Sequence, residues 1–285
     1  MADMKGKRCL VTGATQGIGR VAALELAKAG ASVVIVGRDP ARTQETVQAL
    51  RQQSGNPEVE AIVGDLALLE EVRRVAREYS SRYSRLDVLL NNAGALFGQR
   101  QLTSEGYERT FALNHLAYFA LTRDLLELLG RGAPSRVVNL ASAVHSMARI
   151  DFDDLMTERS YTGMRAYSRS KLANVMFTLE LARRLQGRNV TATCVHPGMV
   201  LTNFGQGNLG LMGKLIGPLL RPFTLRPEQG ADTPVWLASS PEVEGVTGKY
   251  FIRRKERKVN RQALDAAARE RLWDVSEQLV NRVAP

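Results

Sequence analysis

An α/β fold, with a doubly wound seven-stranded parallel sheet and helices on both faces, is predicted by three features of the sequence. Short β-branched runs alternate with segments of three- and four-residue apolar spacing from the N-terminus onward. The strand runs are continuously apolar instead of alternating, as expected where both sheet faces are covered. A glycine-rich turn separates the first strand from the first helix.

The first strand is CLVTG, running into TGATQGIG at 12–19, with a helix from Arg20 to Lys28 behind it. SVVIVGR at 32–38 is the second strand and Ala41 to Gln52 the second helix; VEAIVGD at 59–65 and Leu68 to Tyr83 follow. LDVLLNN at 86–92 precedes a long helix from Ser104 to Leu129, and SRVVNLAS at 135–142 precedes one from Tyr167 to Leu185. VTATCVHP at 190–197 and KYFI at 249–252 complete the sheet. Leu264, Ala267, Leu272, Val275 and Leu279 fall on one stripe, which predicts an amphipathic C-terminal helix over about 259–280. Without a linker-like composition shift, repeat or low-complexity tract, residues 1–285 read as a single domain.

With 44% hydrophobic and 24% charged residues, the chain can bury a core, and disorder is excluded. The net charge of +10 would permit contact with nucleic acid or anionic membrane. The basic residues are spread over many helical faces, however, and the dense run Arg253, Arg254, Lys255, Glu256, Arg257, Lys258 has no interleaved aromatics. It reads as a solvated charge run, so no nucleic-acid partner is expected; peripheral membrane contact is not favoured, and a homo-oligomer stays open. Cys9 and Cys194 lie in apolar strands and read as buried free thiols. His115, His145 and His196 share no metal-ligand spacing, and no metal is expected. MADMKGKRCL enters the first strand without an apolar leader, and no run of about 18 apolar residues occurs elsewhere, so cytoplasmic residence is the expectation.

Gly13, Gly17 and Gly19 sit where a phosphate-binding turn belongs, between strand and helix, although their spacing is G-x3-G-x-G and not the commonest dinucleotide pattern. The second strand ends Val36, Gly37, Arg38 and lacks the carboxylate that usually meets a ribose 2′-hydroxyl. Arg38, helped by Arg42 or Arg20, suits a 2′-phosphate instead, which favours NADP(H) over NAD(H). Asp65 ends the third strand, either as a partner for the adenine amine or as an N-cap for the run beginning at Leu66. Tyr167 and Lys171 in YSRSK are one helical turn apart, so a phenol and an ammonium share a face and form a proton donor suited to carbonyl reduction.

TGATQGIG, NNAG at 91–94, Ser142, YSRSK and HPGMVLTNF together resemble the short-chain dehydrogenase/reductase family, in order and over almost the whole chain. FALNHLAYFALT at 111–122, IDFDDL at 150–155, YSRSKLANVMFTLELARRL at 167–185 and GVTGKYF at 245–251 are most similar to its retinol-dehydrogenase-like branch. The resemblance implies a Rossmann-type sheet and a catalytic group of Asn114, Ser142, Tyr167 and Lys171. In that group Tyr167 is the general acid/base, Ser142 holds the substrate oxygen, Lys171 binds the nicotinamide ribose and lowers the tyrosine's pKa, and Asn114 holds a relay water. A bond from the Asn114 amide to a backbone carbonyl is the alternative for that residue. The cofactor residues implied are Gly13, Thr15, Gln16, Gly17, Ile18 and Gly19 in the turn; Arg38, Asp65 and Leu66 at strand ends; Asn92, Ala93 and Gly94 through backbone groups; Tyr167 and Lys171; and Pro197, Gly198, Val200 and Thr202 over the nicotinamide.

Ser142 lies 25 positions before Tyr167, further than in shorter family members, so residues 145–166 are expected to form a loop and small helix beside the substrate cleft. Asp151, Asp153 and Asp154 there read as caps and surface charges. Tyr161 is followed four on by Arg165 instead of Lys and competes poorly with Tyr167. The stretch at about 199–227 has no acidic residue, five glycines between Gly205 and Gly217 and many large apolar side chains, and it reads as a substrate lid. A kinked core helix or an apolar contact surface is the competing reading. The substrate expected is a small lipophilic aldehyde, ketone or alcohol. A catalytically silent nucleotide sensor or scaffold on the same fold is the alternative function, and a sugar-nucleotide epimerase or dehydratase is a third.

Overall fold

The computed structural model describes residues 2–200 and 225–283. Strands β1 (Arg8–Thr12), β2 (Ser32–Gly37), β3 (Val59–Val63), β4 (Val88–Asn91), β5 (Ser135–Leu140), β6 (Val190–His196) and β7 (Lys249–Ile252) form the parallel sheet. Its order is β3-β2-β1-β4-β5-β6-β7, so the winding reverses between β1 and β4. An eighth strand, β8 (Lys255–Glu256), pairs antiparallel with β7 and adds to the seven expected. The chain turns back there through Arg253 and Arg254, both at positive φ, 51° and 58°. The Arg254 N–H donates to Thr233 Oγ1 at 3.2 Å and its guanidinium pairs with Asp232, which anchors this hairpin to the domain. The expected solvated charge run therefore contains a structured edge.

Successive residues of each strand feed different cores. Cys9, Val11, Val33, Ile35, Val88, Leu90, Val138 and Val195 pack with α1 (Gly17–Lys28) and α2 (Pro40–Ser54). Leu10, Val34, Val36, Leu89, Val137 and Cys194 pack on the opposite face with α3 (Leu69–Arg82). On that second face α4 starts at Arg109–Phe111, widens into a π-helical segment at Ala112–Leu116 and continues as Ala117–Asp124, with α5 (Leu126–Arg131) after it. The predicted start at Ser104 is five residues early. Residues 102–108 form a small turn closed by the Leu102–Glu108 bridge, and the Glu108 carboxylate caps Thr110 N and Phe111 N at 2.8 Å each.

The second face is completed by α6 (Gly163–Arg184) and α8 (Ala266–Arg282), while α7 (Pro227–Ser239) packs on α1 on the first. The C-terminal stripe holds at Leu272, Val275 and Leu279, which face the core, and departs from the prediction at its start. Asp265 caps a new helix after the one-turn helix Arg261–Leu264, so Leu264 and Ala267 are exposed and Ala263, Leu272, Ser276, Leu279 and Val280 are buried. The two cysteines are fully buried against opposite cores, and burial pushes both thiols up, Cys194 to about 12. Among the described residues no helix is long and apolar enough to cross a membrane.

His115 joins α8 to the site side of the fold. It is fully buried, its Nε2 lies 2.8 Å from Ser276 Oγ and its Nδ1 3.4 Å from Asn174 Oδ1, and burial lowers its pKa from 6.5 to about 4. The unfolded chain therefore binds a proton that the folded one refuses between those values, so stability is lost as pH falls through 6.5 toward 4. Urea unfolding at pH 7 and pH 5 should show His115→Gln losing roughly 2 kcal/mol less than the parent across that interval. An equal loss in both proteins would assign the acid sensitivity to other groups.

Candidate active site

The C-terminal ends of β1 and β4, where the strand order reverses, carry the glycine turn and the NNAG segment side by side. Gly13, at φ 64°, is needed for a close approach: a Cβ there would lie 2.7 Å from Ala93 Cα. Thr12 joins the two segments. Its hydroxyl accepts from Asn92 N at 2.9 Å and Ala93 N at 3.0 Å, while Asn92 Nδ2 donates to the carbonyls of Thr12 and Gly13 at 2.7 and 3.1 Å. The backbone N–H groups of Asn92 and Ala93, with the Asn92 side chain, thus brace the glycine turn. Thr12 was not singled out by its sequence context, because its partners lie 80 residues away.

The first turn of α1, beginning at Gly17 with Gln16 at the N-cap and Ile18 following, contains no acidic residue. The first turn of α3, in contrast, holds Glu70 and Glu71, and its Leu69 and Glu70 N–H groups donate to Glu105 at 2.8 and 2.9 Å. Of these two helices only α1 keeps an N-terminus suited to an anion. Arg38 lies just beyond β2 with its side chain 67% exposed and Nη1 3.9 Å from Asp65 Oδ2, so its charge is held loosely at the edge of the crevice. Asp65 accepts from Ala67 N at 3.1 Å in a short turn before buried Leu66 and Ala67; it does not cap α3, whose N-cap is Leu68. Thr15 packs beside Gly37, with Thr43 on the other side.

Across the crevice, α6 places Tyr167 and Lys171 one turn apart, and Lys171 Nζ lies 5.7 Å from the Tyr167 ring centroid and 5.5 Å from that of Tyr118. Ser142, which follows β5 in extended backbone, lies beside the Tyr167 phenol. Burial pushes the phenol up to about 12 against the lowering effect of the Ser142 hydroxyl, and burial brings Lys171 down to about 7. Lys171 is 3% exposed and donates to the Leu140 carbonyl at 3.0 Å, an acceptor shared with Asn174 Nδ2 at 3.2 Å. In this state desolvation of both groups outweighs any lowering of the tyrosine by the lysine.

Asn114 sits in the π-helical segment of α4. Its Oδ1 accepts from Ala95 N at 2.9 Å, and its Nδ2 donates to Ala95 O at 3.0 Å and Ser170 Oγ at 2.9 Å. The amide thus holds the chain after β4 against α6. A Cβ on Gly94 would lie 3.1 Å from Asn114 Oδ1 and 3.4 Å from Lys171 Nζ, so this glycine keeps open the space between two of the expected catalytic residues. Tyr161 is engaged elsewhere, donating to Phe97 O at 2.9 Å. Pro197, Gly198 and Val200 follow β6, and Val200 bridges to Leu225. Thr202 and most of the expected lid, residues 201–224, lie outside the described residues.

Residues 7–209 match the family model for short chain dehydrogenases. The chain is 44% identical to human retinol dehydrogenase 14, covering 97% of this chain and 87% of that one. It is 39% identical to DnrU of Streptomyces sp. (strain C5), named as a candidate daunorubicin C-13 ketoreductase, over 99% of this chain and 95% of that one. The fold is similar to that of the Pseudomonas aeruginosa RhlG/NADP active-site complex, with a TM-score of 0.70 at 29% identity, covering 87% and 95% of the two chains. The chain belongs to the short-chain dehydrogenase family, within it to the retinol-dehydrogenase-like branch, and is an oxidoreductase of the carbonyl/alcohol class.

Lys171 is charged at a cost. Its folded-state pKa lies below its unfolded one, so the penalty is full below about 7 and vanishes as pH approaches 10.5. Lys171→Met should therefore raise the urea midpoint at pH 6, by an amount on the order of a few kcal/mol in stability, with the gain shrinking by pH 10. A variant less stable than the parent at pH 6 would show that the bond to Leu140 outweighs desolvation.

Proposed function

We propose that this protein interconverts a lipophilic aldehyde or ketone and its alcohol with NADP(H), using Tyr167 as general acid in reduction and general base in oxidation. The observation that carries this reading is the convergence of the Ser142 hydroxyl, the Tyr167 phenol and the Lys171 ammonium beside the point where the strand order reverses. The dinucleotide would be held by the turn at 13–19 and the acid-free start of α1, its 2′-phosphate by Arg38 and its nicotinamide ribose by Lys171. Space on the nucleotide side is consistent with Gly94, whose missing side chain leaves the Asn114–Lys171 gap open. When bound, the nicotinamide supplies the hydride in reduction or accepts it in oxidation.

The chain's own residues manage the proton and the oxygen. With its pKa near 12, the Tyr167 phenol stays protonated at neutral pH and is a ready donor to the carbonyl oxygen. Ser142 donates a second hydrogen bond to that oxygen as negative charge develops on it. The phenolate left behind is stabilised by Lys171 on the same helix face, and as its own pKa is near 7 the ammonium is best populated below neutrality. Three exposed methionines support a lipophilic substrate: Met147 after Ser142, Met164 just before Tyr167, and Met199 after the Pro197–Gly198 turn, exposed by 77%, 53% and 50%.

Tyr167→Phe should lower kcat for carbonyl reduction by about 10²- to 10⁴-fold while NADPH binding, followed by fluorescence titration, stays within about twofold. Turnover retained in that variant would remove the proton-transfer role. Arg38→Ala should weaken NADPH by about tenfold or more and leave NADH affinity unchanged. Equal affinity of the parent for both nucleotides would refute the assignment of Arg38.

A further inference from the structure

We infer that Asn260 is a positioning residue for the carbonyl chemistry, holding the segment that begins at Ser142. This inference rests on the proposed reading of the site and adds a part of the chain that no catalytic motif includes. After Ala141, whose N–H still donates to Val195 O of β6 at 2.8 Å, the segment 142–150 leaves the sheet and has no strand pairing to satisfy its backbone. Ser142 O accepts from His145 N at 3.1 Å and from His145 Nδ1 at 2.7 Å, which ties the hydroxyl-bearing residue to the next turn. Beyond that turn the acceptors come under Asn260. Its single Nδ2 donates to the carbonyls of His145, Ser146 and Ala148 at 3.1, 3.1 and 2.8 Å. Gln262 continues the grip, accepting from Ile150 N at 2.8 Å and donating to Ile150 O at 3.0 Å.

The two amides are themselves fixed, because Asn260 Oδ1 accepts from Gln262 N at 2.8 Å as the N-cap of the helix Arg261–Leu264. One side chain therefore does two separable things: its oxygen caps a helix and its nitrogen gathers three carbonyls 112 to 115 residues away in sequence. The cap alone requires only an acceptor, which Ser or Asp would supply equally well. The nitrogen is what the Ser142 segment uses. A shift of about 1 Å in a reacting or orienting group can cost on the order of 100-fold in rate, and Ser142 lies beside the Tyr167 phenol. Met147, which is 77% exposed, lies between the held carbonyls of Ser146 and Ala148, so the same amide fixes the backbone that presents it.

Asn260→Asp separates the two roles, since it keeps the capping oxygen and removes the donor. Backbone amide exchange should rise over residues 143–150 while β4, β5 and β6 keep parental protection. The value of kcat/KM for carbonyl reduction should fall by about ten- to 100-fold, with NADPH affinity unchanged within about twofold. Parental exchange at 143–150 overturns the clamp; raised exchange with parental kcat/KM overturns its catalytic role. Should Asn260→Asp fail to fold, Gln262→Ala is judged by the same two readouts at the other end of the segment, with a smaller change in the same direction. A parent protein that binds NADPH but reduces no aldehyde or ketone refutes the proposed function instead, and exchange then decides the clamp alone.

Discussion

A strand-end carbonyl, Leu140 O, is the acceptor on which the geometry of the site depends. It receives both the buried Lys171 ammonium and the Asn174 amide, at the point where β5 gives way to the segment carrying Ser142. No carboxylate pairs with this lysine among the described residues, so a main-chain dipole and the face of Tyr118 carry the charge. Burial lowers the proton affinity of the lysine, and dipoles offset that desolvation less than a carboxylate would. A carboxylate partner would restore the affinity and neutralise the field that a phenolate needs. The site holds its cation in tension with its burial.

Polar bonds beneath the sheet transmit that placement. Asn91 on β4 donates to Asn139 on β5 at 2.9 Å and to Thr122 on α4 at 3.0 Å, and Asn139 donates to Thr178 on α6 at 3.0 Å. The helices that carry Asn114 and Lys171 are thus tied to the strands by fully buried amides and hydroxyls, which fix register more narrowly than apolar packing alone. On the nucleotide side Thr12 plays the corresponding part between β1 and β4. Both halves of the crevice are set by side-chain bonds to strand ends.

What could be read from the sequence divides along the range of the forces concerned. Strand positions are legible because burial on two faces writes a continuous apolar run, and Tyr167 with Lys171 is legible because a helical turn is local. The start of α4 is not, since the Glu108 cap depends on a turn closed through Leu102; nor is the start of the C-terminal stripe, which Asp265 resets. The β7–β8 hairpin carries two arginines where Asn-Gly would have marked a turn, and its anchor, Asp232, is 22 residues away. The backbone N–H groups of Asn92 and Ala93 are held by Thr12, whose hydroxyl a linear reading assigns to a strand interior. Asn260 belongs to the same class, because its partners are more than a hundred residues distant.

The placement of Cys9 and Cys194 under opposite faces of the sheet has a practical consequence. Neither thiol is accessible, each ionises only far above neutrality, and the intervening strands keep them from meeting, so the native fold offers no thiol for a maleimide or disulfide reagent to attack. A single cysteine introduced at the exposed position of Met147 would be the sole accessible thiol among the described residues. The wild-type background is already suited to site-specific fluorophore or spin labelling in the segment that follows Ser142.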